Sequence, residues 1–142
     1  MSAPDPDLDR LFPPADRPDP PASAEQVTRA QRELGVAFPS DYREFLTRVG
    51  SFNGHLNGAL ADGRAYQRFF DVAEVVSCSQ DYDDLPWACA VVGDTGASWK
   101  YVLRETPDGG GEFVLYDFGS DDVLETYGDT FATLLRAVTA DL

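Results

Sequence analysis

The spacing of apolar residues changes period near residue 89, and that change leaves few architectures open to this chain. Before it, apolar side chains recur at helical spacing. Ser23 stands three residues before Gln26, the separation of a capping box, and Val27, Ala30 and Leu34 then repeat at i, i+3 and i+7 with Arg29, Arg32 and Glu33 facing outward. Gly35 is placed to end that helix in a left-handed conformation. In "FPSDYREFLTRVGSFNG" (38–54), Pro39 fixes the entry to a second helix, Ser40 is the expected cap and Gly50 the stop. Tyr42, Phe45, Leu46 and Val49 form one apolar stripe between them. Asp71 and Glu74 predict a short third helix over 72–79 that turns Val72, Val75 and Val76 inward.

After residue 88 the pattern becomes that of strands. "CAVV" (89–92) reads as a buried strand, and "SWKYVLR" (98–104) alternates Trp99, Tyr101 and Leu103 against Lys100, Val102 and Arg104. "TPDGGG" (106–111) is a hairpin turn, "EFVLYDF" (112–118) the returning strand and "VLET" (123–126) a short further one. A closing helix from about Thr130 carries Phe131, Leu134, Leu135 and Val138 on one face, with Asp129 as the expected cap. Helices, then an antiparallel meander, then a helix predict a single α+β domain, the helices packed on one face of the sheet. The core expected from this pattern includes Leu34, Pro39, Tyr42, Phe45, Leu46, Trp99, Phe131, Leu134 and Leu135.

The remaining 22 residues at the N-terminus are of another kind. They hold seven of the ten prolines, mixed with aspartate, and predict a flexible leader ahead of a domain spanning 23–142. The chain of 142 residues carries a formal charge of −14, unevenly spread. Residues 1–22 have five acids and two bases, residues 23–70 five and six, and residues 71–142 fifteen and three. An acidic C-terminal half argues against nucleic acid or an anionic membrane as the partner and suits a basic protein surface. The first ten residues lack the basic and apolar parts of a signal peptide, and "WACAVV" is too short to span a bilayer, so a soluble cytoplasmic protein is expected. Two cysteines, Cys78 and Cys89, match no metal spacing and fit a reduced compartment.

No constellation of catalytic or metal-binding residues emerges. His55 is the single histidine, placed in a polar loop-like stretch with no nucleophile or second ligand beside it. Asp94-Thr95-Gly96 is the tripeptide of aspartic proteases, but that chemistry needs two aspartates sharing a proton, and a turn is the expected use of these residues. Gly93, Gly96 and Lys100 do not fit a phosphate-binding loop. "DYDD" (81–84) fails as a calcium loop, because the positions that need glycine and glutamate hold Pro86 and Val92. No cofactor and no metal are expected.

The order of motifs resembles the SUKH superfamily (the Smi/Knr-type domain), which includes a fungal cell-wall-synthesis regulator and many bacterial immunity proteins. The resemblance rests on Leu34-Gly35 closing the first helix, on Phe38-Pro39-Ser40-Asp41-Tyr42-Arg43-Glu44-Phe45-Leu46, and on Asn53-Gly54 as a turn. It continues through "GDTGASWKYVL", "FVLYDF" and "FATLL", spanning roughly 23–139, with Phe38 where the family has leucine. The resemblance implies a non-enzymatic binding protein that neutralises a cognate toxin by covering its active or substrate-binding face. The acidic half suits a basic toxin domain such as a nuclease. Asp81, Asp83, Asp84, Asp121, Asp122 and Glu125 are the candidate contacts, with Tyr82 and Tyr127 as aromatic anchors. Two other classes remain open: a scaffold or regulatory module for an endogenous protein, and an aspartic-protease-like enzyme using Asp94.

Overall fold

The computed structural model describes residues 21–55, 66–82, 85–95 and 98–138. Most of the proline-rich leader therefore lies outside the described residues, as do Asp83 and Asp84. Along the described chain run α1 (Ala24–Leu34), α2 (Ser40–Arg48), β1 (Phe52–His55), β2 (Tyr66–Phe69) and α3 (Val72–Gln80). They are followed by β3 (Cys89–Asp94), β4 (Trp99–Glu105), β5 (Gly111–Asp117), β6 (Asp122–Gly128) and α4 (Phe131–Val138). The strands form one antiparallel sheet in sequential order, β1 to β6, with α3 inserted between β2 and β3. The architecture is α+β, with a helix closing the described residues.

Local signals set α1. The Ser23 hydroxyl accepts from the Gln26 amide at 3.1 Å while the Gln26 side chain accepts from the Ser23 amide at 2.9 Å, a complete capping box. Gly35 closes the helix at φ 72°, a conformation that a Cβ disfavours. In α2 the expected Ser40 cap is displaced by one residue. Pro39 takes the N-cap with φ −57°, its ring fixing the entry angle, and no side chain caps the helix there. Val49 is the C-cap, and the chain reverses at Gly50 (φ 92°). Because that reversal is complete by Gly50, Asn53 and Gly54 make no turn; they lie inside β1 opposite Arg68 and Gln67, and His55 ends the same strand opposite Tyr66.

The α2 stripe fills the centre of the core. Tyr42, Phe45 and Leu46 are fully enclosed, and burial of Phe45 and Leu46 contributes roughly 1.5–3 kcal/mol each. Phe131 of α4 is the hub, its ring centroid 5.0 Å from Phe45, 5.2 Å from Tyr42, 5.6 Å from Phe69 and 5.8 Å from Phe113. Leu134 and Leu135 are buried beside it, whereas Leu34 and Pro39 are only half-buried. The sheet face towards these helices carries Tyr101 opposite Leu115 and Leu103 opposite Phe113.

Two expectations about β4 are corrected. Val102 is as buried as Tyr101 and Leu103, so the strand is covered on both faces at its middle. On the second face the segment leading into β3 lays Trp87 edge-on to Tyr116 and beneath the Arg104 guanidinium. Trp99, expected in the core, is 40% exposed. It opens the strand, and its successive cross-strand neighbours are Asp117 and Asp122, carboxylates that do not close over the ring.

Helix α4 corrects a further expectation. Asp129 does not cap it. Thr130 accepts from the Thr133 amide, and the carboxylate of Asp41, on α2, accepts from the amides of Phe131 at 2.9 Å and Ala132 at 2.8 Å. A carboxylate there also faces the positive end of the helix dipole. At the other side of the sheet, Gly93 sits at a bulge in β3 where a Cβ would lie 2.3 Å from the Arg68 carbonyl oxygen, so β2 and β3 can approach only at a glycine.

Candidate functional site

Helix α3 and the β5–β6 turn together build a cleft that collects several of the candidate contacts. The Asp71 side chain caps α3 by accepting from the Glu74 amide at 2.8 Å. Further along, the Ser79 hydroxyl donates to the Val75 carbonyl and accepts from the Val91 amide at 2.7 Å, fixing the helix against β3. The chain leaves this helix through a turn in which the Asp81 and Tyr82 amides donate back to Cys78 and Ser79. Opposite, Asp117 orders the β5–β6 turn by accepting from the Gly119 amide at 2.8 Å and from the hydroxyls of Ser120 at 3.0 Å and Ser98 at 3.2 Å. Those bonds, the Gly119 amide foremost, hold the Asp117 carboxyl below the usual carboxylate range. Asp121 completes the turn at φ 58°, a left-handed conformation that aspartate tolerates better than most residues.

Between these two supports lies a cleft of about 510 Å³ lined by Asp81, Tyr82, Leu85, Pro86, Tyr116, Phe118 and Asp121. Its rings are continuous. Tyr82 and Phe118 have centroids 4.0 Å apart, Phe118 and Tyr116 4.7 Å, and Tyr116 and the neighbouring Trp87 5.7 Å. The Tyr116 hydroxyl donates to the Asp121 carboxylate at 3.5 Å, a long contact that orients the two groups loosely. Partial burial, with Cys78 and Asp81 nearby, pushes the Tyr82 phenol above its ordinary pKa, so it stays a neutral donor. The described lining thus offers aromatic faces, a small apolar wall and two exposed carboxylates.

The candidate residues divide on this geometry. Asp81, Tyr82 and Asp121 converge on the cleft although 39 to 40 residues separate Asp121 from the other two. Asp122 and Glu125 are exposed on β6, the edge strand, where Val123 and Leu124 are also open to solvent at 37% and 40%. Tyr127 turns to the helix-covered face, half-buried against Tyr101 at 6.2 Å. Sequence reasoning missed Leu85, Pro86, Tyr116 and Phe118. Val114, Tyr116 and Phe118 are spaced by two, so one strand face ending in aromatics was a signal that could have pointed to them.

Groups with chemical potential elsewhere are committed to structure. Asp94 ends β3 instead of forming a turn, is 5% exposed, and pairs with Arg68 at 2.7 Å and Lys100 at 3.7 Å. Burial pushes the Cys89 thiol up to about 11 and raises Cys78 as well, which leaves both thiols protonated and unreactive near neutral pH. Among the described residues no group of three or more His, Cys, Asp or Glu is placed to hold a metal ion, and no helix is long and apolar enough to cross a membrane.

An antiparallel meander clasped on one face by aromatic-bearing helices, with an acid-rimmed aromatic cleft on the other, defines the class: a small α+β domain with a preformed recess on its acidic half. The model of the SMI1 / KNR4 family (SUKH-1) matches residues 21–137, and the chain belongs to that family. No curated protein matches the chain.

Proposed function

We propose that this chain is a non-enzymatic, cytoplasmic immunity protein that neutralises a cognate bacterial toxin by covering the toxin's active or substrate-binding face. The observation that carries the reading is the cleft on the acidic half, where stacked rings and two carboxylates are presented together at the surface. Aromatic anchors within a charged rim are the usual energetic centre of a protein interface. Membership of the SUKH-1 family supports an immunity-type or Smi1/Knr4-like role. The toxin that fits is basic, such as a nuclease domain whose phosphate-binding surface would meet fifteen acids against three bases over residues 71–142. Charge of this size accelerates encounter most strongly at low ionic strength.

The test is co-expression with the toxin domain encoded nearest the gene, scoring rescue of growth, followed by titration of the purified pair at low and high salt. Rescue with binding that weakens as salt rises is the expected outcome. Rescue with salt-insensitive binding would retain the immunity role and remove the electrostatic mechanism. Absence of both rescue and complex would favour a scaffold for an endogenous protein.

A further inference from the structure

The protein uses one local arrangement twice to hold its own arginines. Arg68 lies over the Phe70 ring at 4.8 Å and donates to the Asp94 carboxylate at 2.7 Å. Arg104 lies over Trp87 at 5.5 Å and donates through two nitrogens to one oxygen of Glu112, at 2.8 and 2.6 Å. In each, a planar guanidinium satisfies its π-face on an aromatic ring and its donor edge on a carboxylate.

The cleft repeats the aromatic and carboxylate parts of that arrangement. Tyr82 and Phe118 supply ring faces, Asp81 and Asp121 supply exposed carboxylates on opposite supports, and no lysine or arginine stands among its described lining residues. A volume of about 510 Å³ lies within the roughly 300–1,000 Å³ of clefts that take small ligands. It therefore suits a projecting side chain better than an element of secondary structure. The neighbouring edge argues the same way. Register shifts at Phe113/Val114 and Leu115/Tyr116 put bulges into the β5–β6 pairing, and bulged, acidic edges disfavour strand addition.

We infer that the cleft is a receptor for an arginine of the partner protein, its guanidinium laid against the Tyr82–Phe118 ring pair and its donors shared between Asp81 and Asp121. Arginine fits better than lysine, because its planar fork can stack and bridge two carboxylates at once, whereas an ammonium is a compact, strongly hydrated charge. The inference rests on the reading of this face as protein-binding and names the chemistry it selects.

The probe is a blocked Gly-Arg-Gly peptide titrated into the labelled full chain, followed by amide chemical shifts. Its lysine and citrulline counterparts serve as comparisons, citrulline keeping the shape without the charge. Shifts confined to 81–87 and 116–121, with the arginine peptide bound at least several-fold more tightly than the other two, are expected. An Asp81→Asn/Asp121→Asn variant should lose most of that preference, and asparagine tolerates the left-handed conformation at 121. Phe118→Leu should weaken the arginine peptide by roughly fivefold. Equal response to arginine and citrulline, equal response to arginine and lysine, or shifts scattered over the surface would each overturn the inference. The same variants, tested in growth rescue, separate it from the broader reading. If toxin is neutralised equally well by wild type and cleft variants, the arginine site falls and the immunity role stands. If no toxin complex forms but the peptide preference is present, the site stands and the immunity role falls.

Discussion

On the helix-covered face of the sheet, Phe131 gathers Tyr42, Phe45, Phe69 and Phe113 within 5.8 Å, and none of these rings is more than 1% exposed. On the opposite face Tyr82, Phe118 and Tyr116 are packed at least as closely, yet they end in an open cleft between two carboxylates. What differs is the cover. Two helices close over the first cluster, whereas the second is met by a helix end and a four-residue turn that leave a gap. Aromatic packing on the first face stabilises the fold; on the second it preorganises a surface, because rings already in contact lose little freedom when a ligand arrives.

The comparison breaks first at Phe131. Phe131→Ala should cost about 3–5 kcal/mol, the usual penalty for emptying a phenylalanine site in a core, measured by urea unfolding. A loss comparable to that of Phe118→Ala would mean that the two clusters do not differ in role. Next comes the buried ion group. Asp94→Ala leaves Lys100, only 17% exposed at its side chain, without that partner, and should cost about 2 kcal/mol. The same variant tests the protease alternative: with Asp94 structural, stability should fall and the purified wild type should have no peptidase activity for the variant to lose. Asp41→Ala should cost about 1 kcal/mol by uncapping α4, and amide exchange should accelerate first at Phe131 and Ala132. Asp81→Asn/Asp121→Asn should change stability by less than about 0.5 kcal/mol, as exposed charges do, while it alters binding.

Stability also depends on pH. The Cys89 thiol rises from 9.0 to about 11 in the folded state, chiefly through burial. The folded form therefore holds this proton more tightly than the unfolded chain. Its contribution to stability is fully present below pH 9 and is lost as pH climbs towards 11. Unfolding measured across that window should show a decline that Cys89→Ala makes shallower; an unchanged slope would assign the decline to other groups.

The sequence by itself determined what could be encoded within a few residues. Ser23 and Gln26 cap α1 because their partners are three residues away; the stripe of Tyr42, Phe45 and Leu46 makes α2 amphipathic; and "TPDGGG" turns β4 into β5. Tertiary structure decided whatever depends on partners distant in the chain. Strands β1 and β2, four residues each and mixed in polarity, exist through pairing with each other and with β3. The cap of α4 comes from Asp41, 90 residues before Phe131, so the nearby Asp129 misled. Trp99 obeys the alternation of its strand but stands beside carboxylates at the sheet's end, and stays exposed. Asp81, Tyr82 and Asp121 could be picked out as acidic and aromatic, but only folding sets them around Phe118 and Tyr116. Period and capping are local properties of a chain, whereas burial, long-range caps and clefts depend on which surfaces the folded chain brings together.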